Sequence, residues 1–434
     1  MQQVALYDVI KDKSDPELLV GAHLDFPKSG ENIGSFVLEL SGWVVGKEAI
    51  KHLEIVYDNK VLKTLELFCR QDIIKAFPEA QGSENAGFRT WLSTSCLDSQ
   101  FELSLRCVFE NGKRLRLFKI KGSSAQIETS HDSVLSPIIL NSPGRSGTTL
   151  VMRLLSFHPE IVCQNVYPYE TRAASYWLHA FRVLTEASDY RASYLPGDNF
   201  DTHWLGNNPY NDWHFIRPFL KSPGENHFLG QTYVNQTADH MKRMIDEFYI
   251  WLASTQNKNP KYFMEKYPPS YDDIIRIARR LYTQTKEIFL IRDPRDILCS
   301  ITAFNSKRKT LSFGRQQEET EQEYINKLNC SFQNFHAITQ SRKSGSSLVR
   351  YEDLVMKPQE TIGKLLDFLT LSNDSATIRS ILEQSNVEIP QLKFHKTSES
   401  AAASIGRWQQ DLNEDMQAYC NDIFRDILLK FGYE

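Results

Sequence analysis

The stretch Pro137-Ile-Ile-Leu-Asn-Ser-Pro-Gly-Arg-Ser-Gly-Thr-Thr-Leu150 decides the fold of the larger part of this chain. A short apolar run leads into a turn that contains proline and glycine, and two threonines then begin a helix with apolar residues at helical spacing. Such a strand–loop–helix directs several unpaired backbone N–H groups toward one point, where the helix dipole adds partial positive charge. The pattern therefore predicts a binding site for an oxyanion such as phosphate or sulfate.

The predicted loop differs from the phosphate-binding loop of kinases and ATPases. That loop follows the pattern G-x-x-x-x-G-K-[ST], and its lysine reaches the β- and γ-phosphates. Here Thr148 follows Gly147, so the lysine is missing, and Gly144 lies too close to Gly147 for that pattern. A kinase or an ATPase is therefore disfavoured. We expect the anion to be bound by the permanent cation of Arg145 and by the rest of the loop, namely Gly144, Ser146, Gly147, Thr148 and Thr149.

A second segment, Glu287-Ile-Phe-Leu-Ile-Arg-Asp-Pro-Arg-Asp-Ile-Leu-Cys-Ser300, has the same organisation. Its apolar run is typical of a buried parallel strand, and Asp293, Pro294 and Asp296 predict a helix with an N-cap, a proline at the first position and an acid in the first turn. Arg292 ends the strand and Ser300 lies on the helix, so both could bind an anion. Two separate anion sites in one α/β sheet imply a ligand with two separate anionic groups.

The two segments resemble the 5′-phosphosulfate loop and the 3′-phosphate motif of sulfotransferases that use 3′-phosphoadenosine-5′-phosphosulfate (PAPS). Val349-Arg-Tyr-Glu-Asp-Leu-Val-Met-Lys-Pro358 and Gly406-Arg-Trp408 are also similar to that family. The resemblance is to bacterial-type members, with motifs most similar to those of tyrosylprotein and glycan sulfotransferases, and it covers about residues 133–434. It implies an α/β fold with a P-loop-like parallel sheet sandwiched by helices, and sulfuryl transfer from PAPS to a hydroxyl group without a metal.

The resemblance also implies roles for individual residues. Arg145 would neutralise the leaving phosphate, since tyrosylprotein and several glycan sulfotransferases carry arginine where cytosolic aryl sulfotransferases carry lysine. Arg292 and Ser300 would bind the 3′-phosphate. Tyr351 would stack on the adenine, and Arg407 would close over the nucleotide. The product of the co-substrate would be 3′-phosphoadenosine-5′-phosphate.

The general base is predicted from another local resemblance. Tyr169-Glu-Thr-Arg172 is similar to the Glu-Thr-Arg segment of tyrosylprotein sulfotransferases, whose glutamate is the base, so Glu170 is the candidate here. Lys266 is similar to a catalytic lysine of the same subfamily and would stabilise the sulfuryl oxygens. A solvated loop carboxylate and an exposed lysine remain the alternatives for these two residues. His158, which ends the first helix before Pro159, is predicted to be structural.

The first 130 residues have a different pattern. Alternating or β-rich runs cover residues 36–45, 53–57, 101–109 and 115–120, and Asn111-Gly112 is a strong hairpin signal between the last two. We expect a small all-β, immunoglobulin-like sandwich over residues 1–130, a polar linker near residues 123–133, and a sulfotransferase catalytic domain over residues 133–434. No motif in the first region carries chemistry, which favours an accessory role.

Composition limits the remaining classes. The 434 residues are 41% hydrophobic and 24% charged, as in ordinary globular proteins, and a net charge of −4 gives no support for nucleic-acid binding. The first residues have neither a basic nor a long apolar segment, and no run is long enough to span a bilayer, so we expect neither a secretory signal nor a transmembrane segment. Seven scattered cysteines without a Cys-x-x-Cys pair favour a reducing cytoplasm and argue against a zinc site.

The acceptor is suggested by an aromatic insert between about residues 172 and 235, which includes Tyr176, Trp177, Trp204, Tyr210, Trp213, Phe215 and Phe219. Such rings stack on sugars, so a glycan or a glycolipid is the first expectation, and a tyrosine or another phenol is the second. The basic run Lys307-Arg-Lys309 would contact an acidic acceptor or form a solvated helix end. Two other classes stay open, a nucleotide or small-molecule kinase and a nucleotide-binding protein without catalysis. The oligomeric state is not predicted.

Overall fold

A computed structural model of the chain describes residues 2–13, 15–58, 60–80, 83–186, 227–342, 344–387, 389–391 and 396–434. Contacts divide the chain into two units. The first comprises Met1–Asp132, Tyr176–Met244 and Arg276–Leu281, and the second comprises Ser133–Ser175, Ile245–Ile275 and Tyr282–Glu434. The predicted domain boundaries, which gave residues 1–130 and 133–434, stay a prediction.

The first unit is dominated by antiparallel strands. Its described strands are β1 Val4–Lys11, β2 Leu19–Phe26, β3 Asn32–Ile33, β4 Val37–Gly46, β5 Ile50–Tyr57, β6 Lys60–Leu65, β7 Gly87–Ser93, β8 Gln100–Phe109 and β9 Arg114–Ser124. Two sheets appear among them, with strand orders β3-β1-β9-β8-β5-β6 and β2-β4-β7. A short helix, α1 Gln71–Ala76, follows β6. The antiparallel sheets agree with the predicted all-β region, whereas the immunoglobulin-like type stays a prediction.

The predicted hairpin at Asn111-Gly112 is confirmed, because β8 and β9 pair antiparallel across it and Gly112 has a φ of +83°. The predicted linker near residues 123–133 begins slightly too early, since β9 continues to Ser124. The reason is β1, which sequence analysis did not identify. Val4 of β1 pairs with Ser124 and Ala5 pairs with Ser123, so the ladder keeps both serines in the sheet.

The second unit contains a parallel sheet. Its described strands are β10 Ser136–Asn141, β11 Ile161–Val162, β12 Tyr262–Tyr267, β13 Lys286–Ile291 and β14 Ser346–Arg350. Their order is β11-β12-β10-β13-β14, and every pairing in this sheet is parallel. The predicted α/β fold is therefore present from β10 onward.

Helices connect these strands. The remaining described α-helices are α2 Thr148–Ser156, α3 Ala173–Leu184, α4 Tyr233–Thr255, α5 Asp272–Leu281, α6 Pro294–Arg308, α7 Glu321–Ser341, α8 Tyr351–Met356, α9 Pro358–Leu369, α10 Ser375–Ser385, α11 Trp408–Asp411 and α12 Glu414–Phe431. Along the chain, α3, α4 and α5 each cross a boundary between the two units. Among the described helices, none has the length and apolarity needed to cross a membrane.

Strand β13 demonstrates that helices cover both faces of the parallel sheet. Ile288 and Leu290 are buried in one apolar cluster with residues of α2, α9 and α10. Phe289 and Ile291 are buried in a second cluster with residues of α6, α7 and α12. Because successive side chains of a strand point to opposite faces, the two clusters lie on opposite sides of the sheet. The predicted arrangement of a sheet between helices is thus confirmed.

The parallel register brings the functional segments to one edge. Asn141, the last residue of β10, pairs with Tyr267 of β12 and with Phe289 of β13, and Ile291 of β13 pairs with Arg350 of β14. The loops that follow β10, β13 and β14 therefore leave the sheet at its carboxyl edge, where ligands of open α/β sheets bind.

Candidate functional site

The loop between β10 and α2 has the curled backbone that an anion site needs. Arg145 and Gly147 have φ values of +66° and +95°, and α2 begins directly after Gly147. Ser142 donates its hydroxyl hydrogen to the carbonyl oxygen of Leu290 at 2.8 Å, which ties the loop to β13. Within the described residues, no acceptor binds the N–H groups of Gly147, Thr148 or Thr149. These N–H groups at a helix N-terminus can bind an anion.

The other loop residues serve different purposes. Ser146 is fully buried and donates its hydroxyl hydrogen to the carbonyl of Pro143 at 2.9 Å, so its hydroxyl stabilises the turn. Gly144 is exposed, and a Cβ at this position would lie 2.5 Å from the ring of Phe313. The hydroxyls of Thr148 and Thr149, which are partly exposed, have no hydrogen-bond partner among the described residues.

Tyr351 packs between the loop and Arg292. A Cβ at position 147 would lie 2.4 Å from the Tyr351 ring, so only glycine permits this approach. The Arg292 guanidinium lies 4.8 Å from the centroid of the same ring, and the phenol oxygen is 3.0 Å from the Ser404 hydroxyl. The ring is 6% exposed and packs against residues of both anion motifs. The predicted stacking of Tyr351 on adenine stays a prediction.

The two anion motifs meet. Arg292 donates to the main-chain carbonyl of Arg145 at 3.4 Å, and Arg145 Nε donates to the hydroxyl of Ser300 at 3.1 Å. The Arg145 guanidinium also lies 4.8 Å from the centroid of the Phe304 ring. Arg292 Nε is buried without a hydrogen-bond partner among the described residues. The predicted residues Arg145, Arg292 and Ser300 therefore share one site, although Arg145 and Ser300 lie 155 positions apart.

The electrostatics of this site favour an anion. Burial, followed by the charges of Arg292 and Arg407, lowers the pKa of Arg145 to about 10. The guanidinium stays charged at neutral pH, but it is held near charges of the same sign. A phosphate or sulfate bound among these groups would offset their repulsion and would accept the directional N–H bonds that guanidinium groups donate.

Thr397 extends the site and was not identified from the sequence. Its hydroxyl oxygen lies 3.2 Å from that of Ser300, and Arg407 donates to its carbonyl at 3.0 Å and to its hydroxyl at 3.2 Å. Arg407 is held in turn by Asp411 at 2.6 Å. Beside Thr397 lies a cleft of about 490 Å³ lined by Ala303, Lys307, Lys396, Thr397, Ser398 and Glu399. Thr397 follows β13 by about a hundred residues and belongs to no periodic element, so no local signal marks it.

The start of α6 agrees with the sequence prediction, but one of its acids has a further role. Asp293 is the N-cap and accepts the N–H of Arg295 at 2.9 Å. Asp296 instead accepts the N–H groups of Gly406 at 2.8 Å and Trp408 at 3.1 Å. This carboxyl therefore anchors the segment that carries Arg407, and burial raises its pKa to about 6.

Glu170 and Lys266 form an ion pair. Their nearest oxygen and nitrogen are 2.5 Å apart, and Arg172 approaches the same carboxylate at 2.9 Å. Burial by itself would raise the pKa of Glu170, but the hydrogen bond and charge of Lys266, followed by those of Arg172, outweigh it and lower the pKa below its ordinary value. Glu170 is thus ionised at neutral pH and able to accept a proton.

Tyr167 links the carboxylate region to the anion loop. Burial raises the pKa of this half-buried phenol, the charges of Arg308 and Arg145 oppose that rise, and Glu170 adds to it. The charges of Glu170 and Arg145 therefore both act on the Tyr167 phenol. Sequence analysis did not select Tyr167, although it lies only three residues before Glu170.

Two other predictions concern residues outside this centre. Both ring nitrogens of His158 contact backbone, with Nε2 3.3 Å from the Ser372 carbonyl and Nδ1 accepting the N–H of Glu160 at 3.2 Å, which supports a structural role. Tyr176 and Trp177 pack edge to face on α3 with ring centroids 5.8 Å apart. The other predicted acceptor-binding rings, Trp204, Tyr210, Trp213, Phe215 and Phe219, lie outside the described residues.

Comparison with known proteins identifies the class. The model of the sulfotransferase family matches residues 137–375, which is more than half of the chain, and the chain belongs to that family. Human carbohydrate sulfotransferase 1 is 27% identical over 177 residues, and the rat protein of the same name is 26% identical over 180 residues. Each of these matches covers 38% of this chain and 43% of the relative, so less than half of each relative is represented.

Two of the solved structures that match this chain, both with low TM-scores, are sulfotransferases by name. The sulfotransferase domain from the curacin biosynthetic pathway is 16% identical with a TM-score of 0.37, and the match covers 70% of this chain and 99% of that chain. Mouse sulfotransferase SULT7A1 complexed with PAP is 12% identical with a TM-score of 0.37, and the match covers 69% and 86% of the two chains.

Substitution of Gly147 tests the contact between the loop and Tyr351. We expect Gly147→Ala to weaken binding of adenosine 3′,5′-bisphosphate at least about tenfold, since its Cβ displaces the ring that supports both motifs. Gly112→Ala is the matched control, because Gly112 also has a positive φ but a Cβ added there would meet nothing within 4 Å. Backbone strain should destabilise both variants by about 1 kcal/mol, and displacement of the Tyr351 ring should destabilise Gly147→Ala further. Equal ligand affinity in the two variants, measured by calorimetry, would contradict the assigned contact.

The anchoring carboxyl predicts a pH effect on stability. The pKa of Asp296 is about 6 in the folded protein, above the ordinary 3.8, so the folded state binds this proton more tightly than the unfolded state. The contribution of the protonated carboxyl to the free energy of unfolding is therefore complete below about pH 3.8 and is lost as the pH rises through about 6. Asp296→Asn removes this titration. The melting temperature of the wild type minus that of the variant should therefore fall between about pH 4 and pH 7. A difference that does not change with pH would show that Asp296 does not titrate in this range.

Proposed function

We propose that this protein transfers a sulfuryl group from PAPS to a hydroxyl group of an acceptor. The single observation that carries the proposal is the meeting of the two anion motifs, in which Arg292 contacts the Arg145 carbonyl and Arg145 contacts Ser300. A nucleotide with one phosphate on its 3′-oxygen and a phosphosulfate on its 5′-oxygen carries two anionic groups in one small molecule. Such a ligand matches two adjacent groups of cations and hydroxyls.

In this proposal the two ends of the donor bind to different elements. The N–H groups that begin α2, together with the hydroxyls of Thr148 and Thr149, bind the 5′-phosphosulfate. Arg292 and Ser300 bind the 3′-phosphate, and the neighbouring Thr397 hydroxyl adds a further donor. The segment that carries Arg407 closes over the nucleotide and is fastened to α6 through Asp296.

Transfer requires a base and stabilisation of charge. The oxygen of the acceptor hydroxyl attacks the sulfur while Glu170 accepts the hydroxyl proton. The bond between the sulfur and the phosphate oxygen breaks on the opposite side of the sulfur. Arg145 stabilises the negative charge that develops on the leaving phosphate. Lys266, which lies 2.5 Å from Glu170, stabilises the oxygens of the sulfuryl group during its transfer. These charged side chains supply the stabilisation that a metal supplies in many phosphoryl transfers.

For the acceptor we propose a carbohydrate hydroxyl, with a tyrosine or another phenol as the alternative. The curated relatives named carbohydrate sulfotransferase 1 support the first, and the Glu-Thr-Arg segment at Glu170 supports the second. Arg308 lies 4.9 Å from the centroid of the Phe304 ring, which also contacts Arg145. An acidic group on the acceptor could therefore bind beside the reacting sulfur.

We further propose that the antiparallel region is an immunoglobulin-like accessory domain and that the protein acts in the cytoplasm. The two antiparallel sheets support the first statement. The seven cysteines, all of which are free thiols, support the second, since thiols persist in a reducing compartment.

Two substitutions separate catalysis from donor binding. Glu170→Gln should lower kcat on the order of 100-fold or more while the affinity for adenosine 3′,5′-bisphosphate changes less than about twofold, since the amide cannot accept the proton. Arg145→Ala should lower both kcat and that affinity. Glu160→Gln is the control, because Glu160 is another carboxylate paired with a lysine, Lys261 at 2.5 Å, outside the site. If Glu170→Gln retains wild-type turnover, Glu170 is not the base.

The activity itself is tested with radiolabelled PAPS and a panel of sugars, glycolipids and phenols. We expect label to transfer to an acceptor hydroxyl in the absence of added ATP. Adenosine 3′,5′-bisphosphate should raise the melting temperature more than ATP does at equal concentration. A larger shift with ATP and magnesium would favour the kinase alternative and contradict the proposal.

A further inference from the structure

Glu265 is a buried acid that the mechanism above does not use. It lies on β12 with 3% of its surface exposed. Its carboxylate accepts the N–H groups of Ala174 at 2.8 Å and Ser175 at 3.0 Å, and the phenol hydrogens of Tyr267 at 2.9 Å and of Tyr249. Four donors around one carboxylate compensate the loss of its hydration.

The donors are well matched to an ionised carboxylate. Burial and then the charge of Glu265 raise the pKa of both Tyr249 and Tyr267 well above the ordinary range of phenols, so both keep the hydrogens that they donate. Ala174 and Ser175 belong to the first turn of α3, where N–H groups have no partner within the helix and the helix dipole attracts negative charge.

Glu265 and Lys266 are consecutive residues of β12, so their side chains point to opposite faces of the sheet. Lys266 binds Glu170, and Glu265 binds the backbone at positions 174 and 175. Neighbouring residues of one strand thus hold both ends of the segment from Glu170 to Ser175. Tyr249 adds a link in the middle, since its phenol oxygen lies 2.9 Å from the Thr171 hydroxyl.

The held segment has a backbone that needs external support. Tyr169 and Arg172, on either side of Glu170, have φ values of +64° and +56°. Residues other than glycine in this left-handed region cost about 1 kcal/mol or more each, and they persist only where surrounding contacts impose them. The hydrogen bonds to Glu265 begin at Ala174, two residues after Arg172, and fix the position of the backbone at the end of this segment.

We propose that Glu265 is a positioning residue for Glu170, which holds the carboxylate of the base where it meets Lys266 and the acceptor hydroxyl. The inference rests on the proposed role of Glu170 as base. Glu265 touches neither donor nor acceptor and acts through the backbone of residues 170–175. Its removal should therefore impair the chemical step and leave donor binding at Arg145 and Arg292 intact.

The test is Glu265→Gln, which keeps the size of the side chain but loses the charge and one acceptor oxygen. We expect kcat to fall about tenfold to 100-fold, with the KM for PAPS and the affinity for adenosine 3′,5′-bisphosphate within about twofold of the wild type. The acidic limb of the pH profile of kcat should move to higher pH. The reason is that Lys266 lowers the pKa of Glu170, and a looser pair lets that pKa rise. A residue that only stabilised the fold would not move this limb.

A double variant gives a second readout. Because Glu265 acts through Glu170, adding Glu265→Gln to Glu170→Gln should lower kcat no further than Glu170→Gln alone. Tyr249→Phe removes one donor and the link to Thr171 with little change in volume. It should lower kcat a few-fold in the same direction, and it keeps the inference testable if Glu265→Gln does not fold. Glu160→Gln again serves as the control with wild-type kinetics.

The outcomes are distinguishable. If the wild type transfers no label from PAPS to any acceptor, the proposed function fails, and this inference fails with it. Suppose instead that the wild type is active and Glu170→Gln is inactive. If Glu265→Gln or Tyr249→Phe then has the kcat and pH profile of the wild type, the inference about Glu265 is wrong, while the proposed function stands. Additive losses in the double variant would also overturn the inference, since they would mean that Glu265 acts independently of Glu170.

Discussion

The structure of the site depends on the contact between the Arg292 guanidinium and the main-chain carbonyl of Arg145. It exists because β10 and β13 are adjacent parallel strands, so the segments that follow them leave the sheet at the same edge. The contact brings two residues with cationic side chains together at this edge. Neither motif by itself would distinguish a bisphosphorylated nucleotide from another anion, so the proposed function depends on the pair.

Several features that would be unfavourable in an inert protein occur together at this edge. Arg145 has a left-handed backbone, a partly buried guanidinium and neighbouring charges of its own sign. The N–H groups at the start of α2 have no acceptor among the described residues. An anionic ligand would relieve the repulsion and occupy the N–H groups in one step. In the proposed function, this arrangement is preorganised for the charge of the donor and stabilises the charge that develops during transfer.

The sequence predicted those parts of the candidate site that are marked by a short run of neighbouring residues. The loop after β10, the N-cap Asp293 and the candidates Glu170 and Lys266 each follow from residues within a few positions of one another or from a family motif, whereas the ion pair between Glu170 and Lys266 was not predicted. Thr397, Tyr249 and Glu265 could not be predicted in this way. Thr397 lies in an irregular segment, and the bonds of Glu265 join a strand to a helix start about 90 residues away. In the first unit, β1 was missed because its pairing with β9, more than 100 residues later, determines that strand.

The central claim is that one nucleotide is bound at both ends, and calorimetric titration with adenosine 3′,5′-bisphosphate, adenosine 5′-phosphate and adenosine 3′-phosphate tests it most directly. If the cations at Arg145 and Arg292 each bind one phosphate, the bisphosphate should bind at least about tenfold more tightly than either monophosphate, a difference of about 1.4 kcal/mol. Bisphosphate affinity no greater than that of adenosine 5′-phosphate would contradict the account, because only one anion would then be recognised.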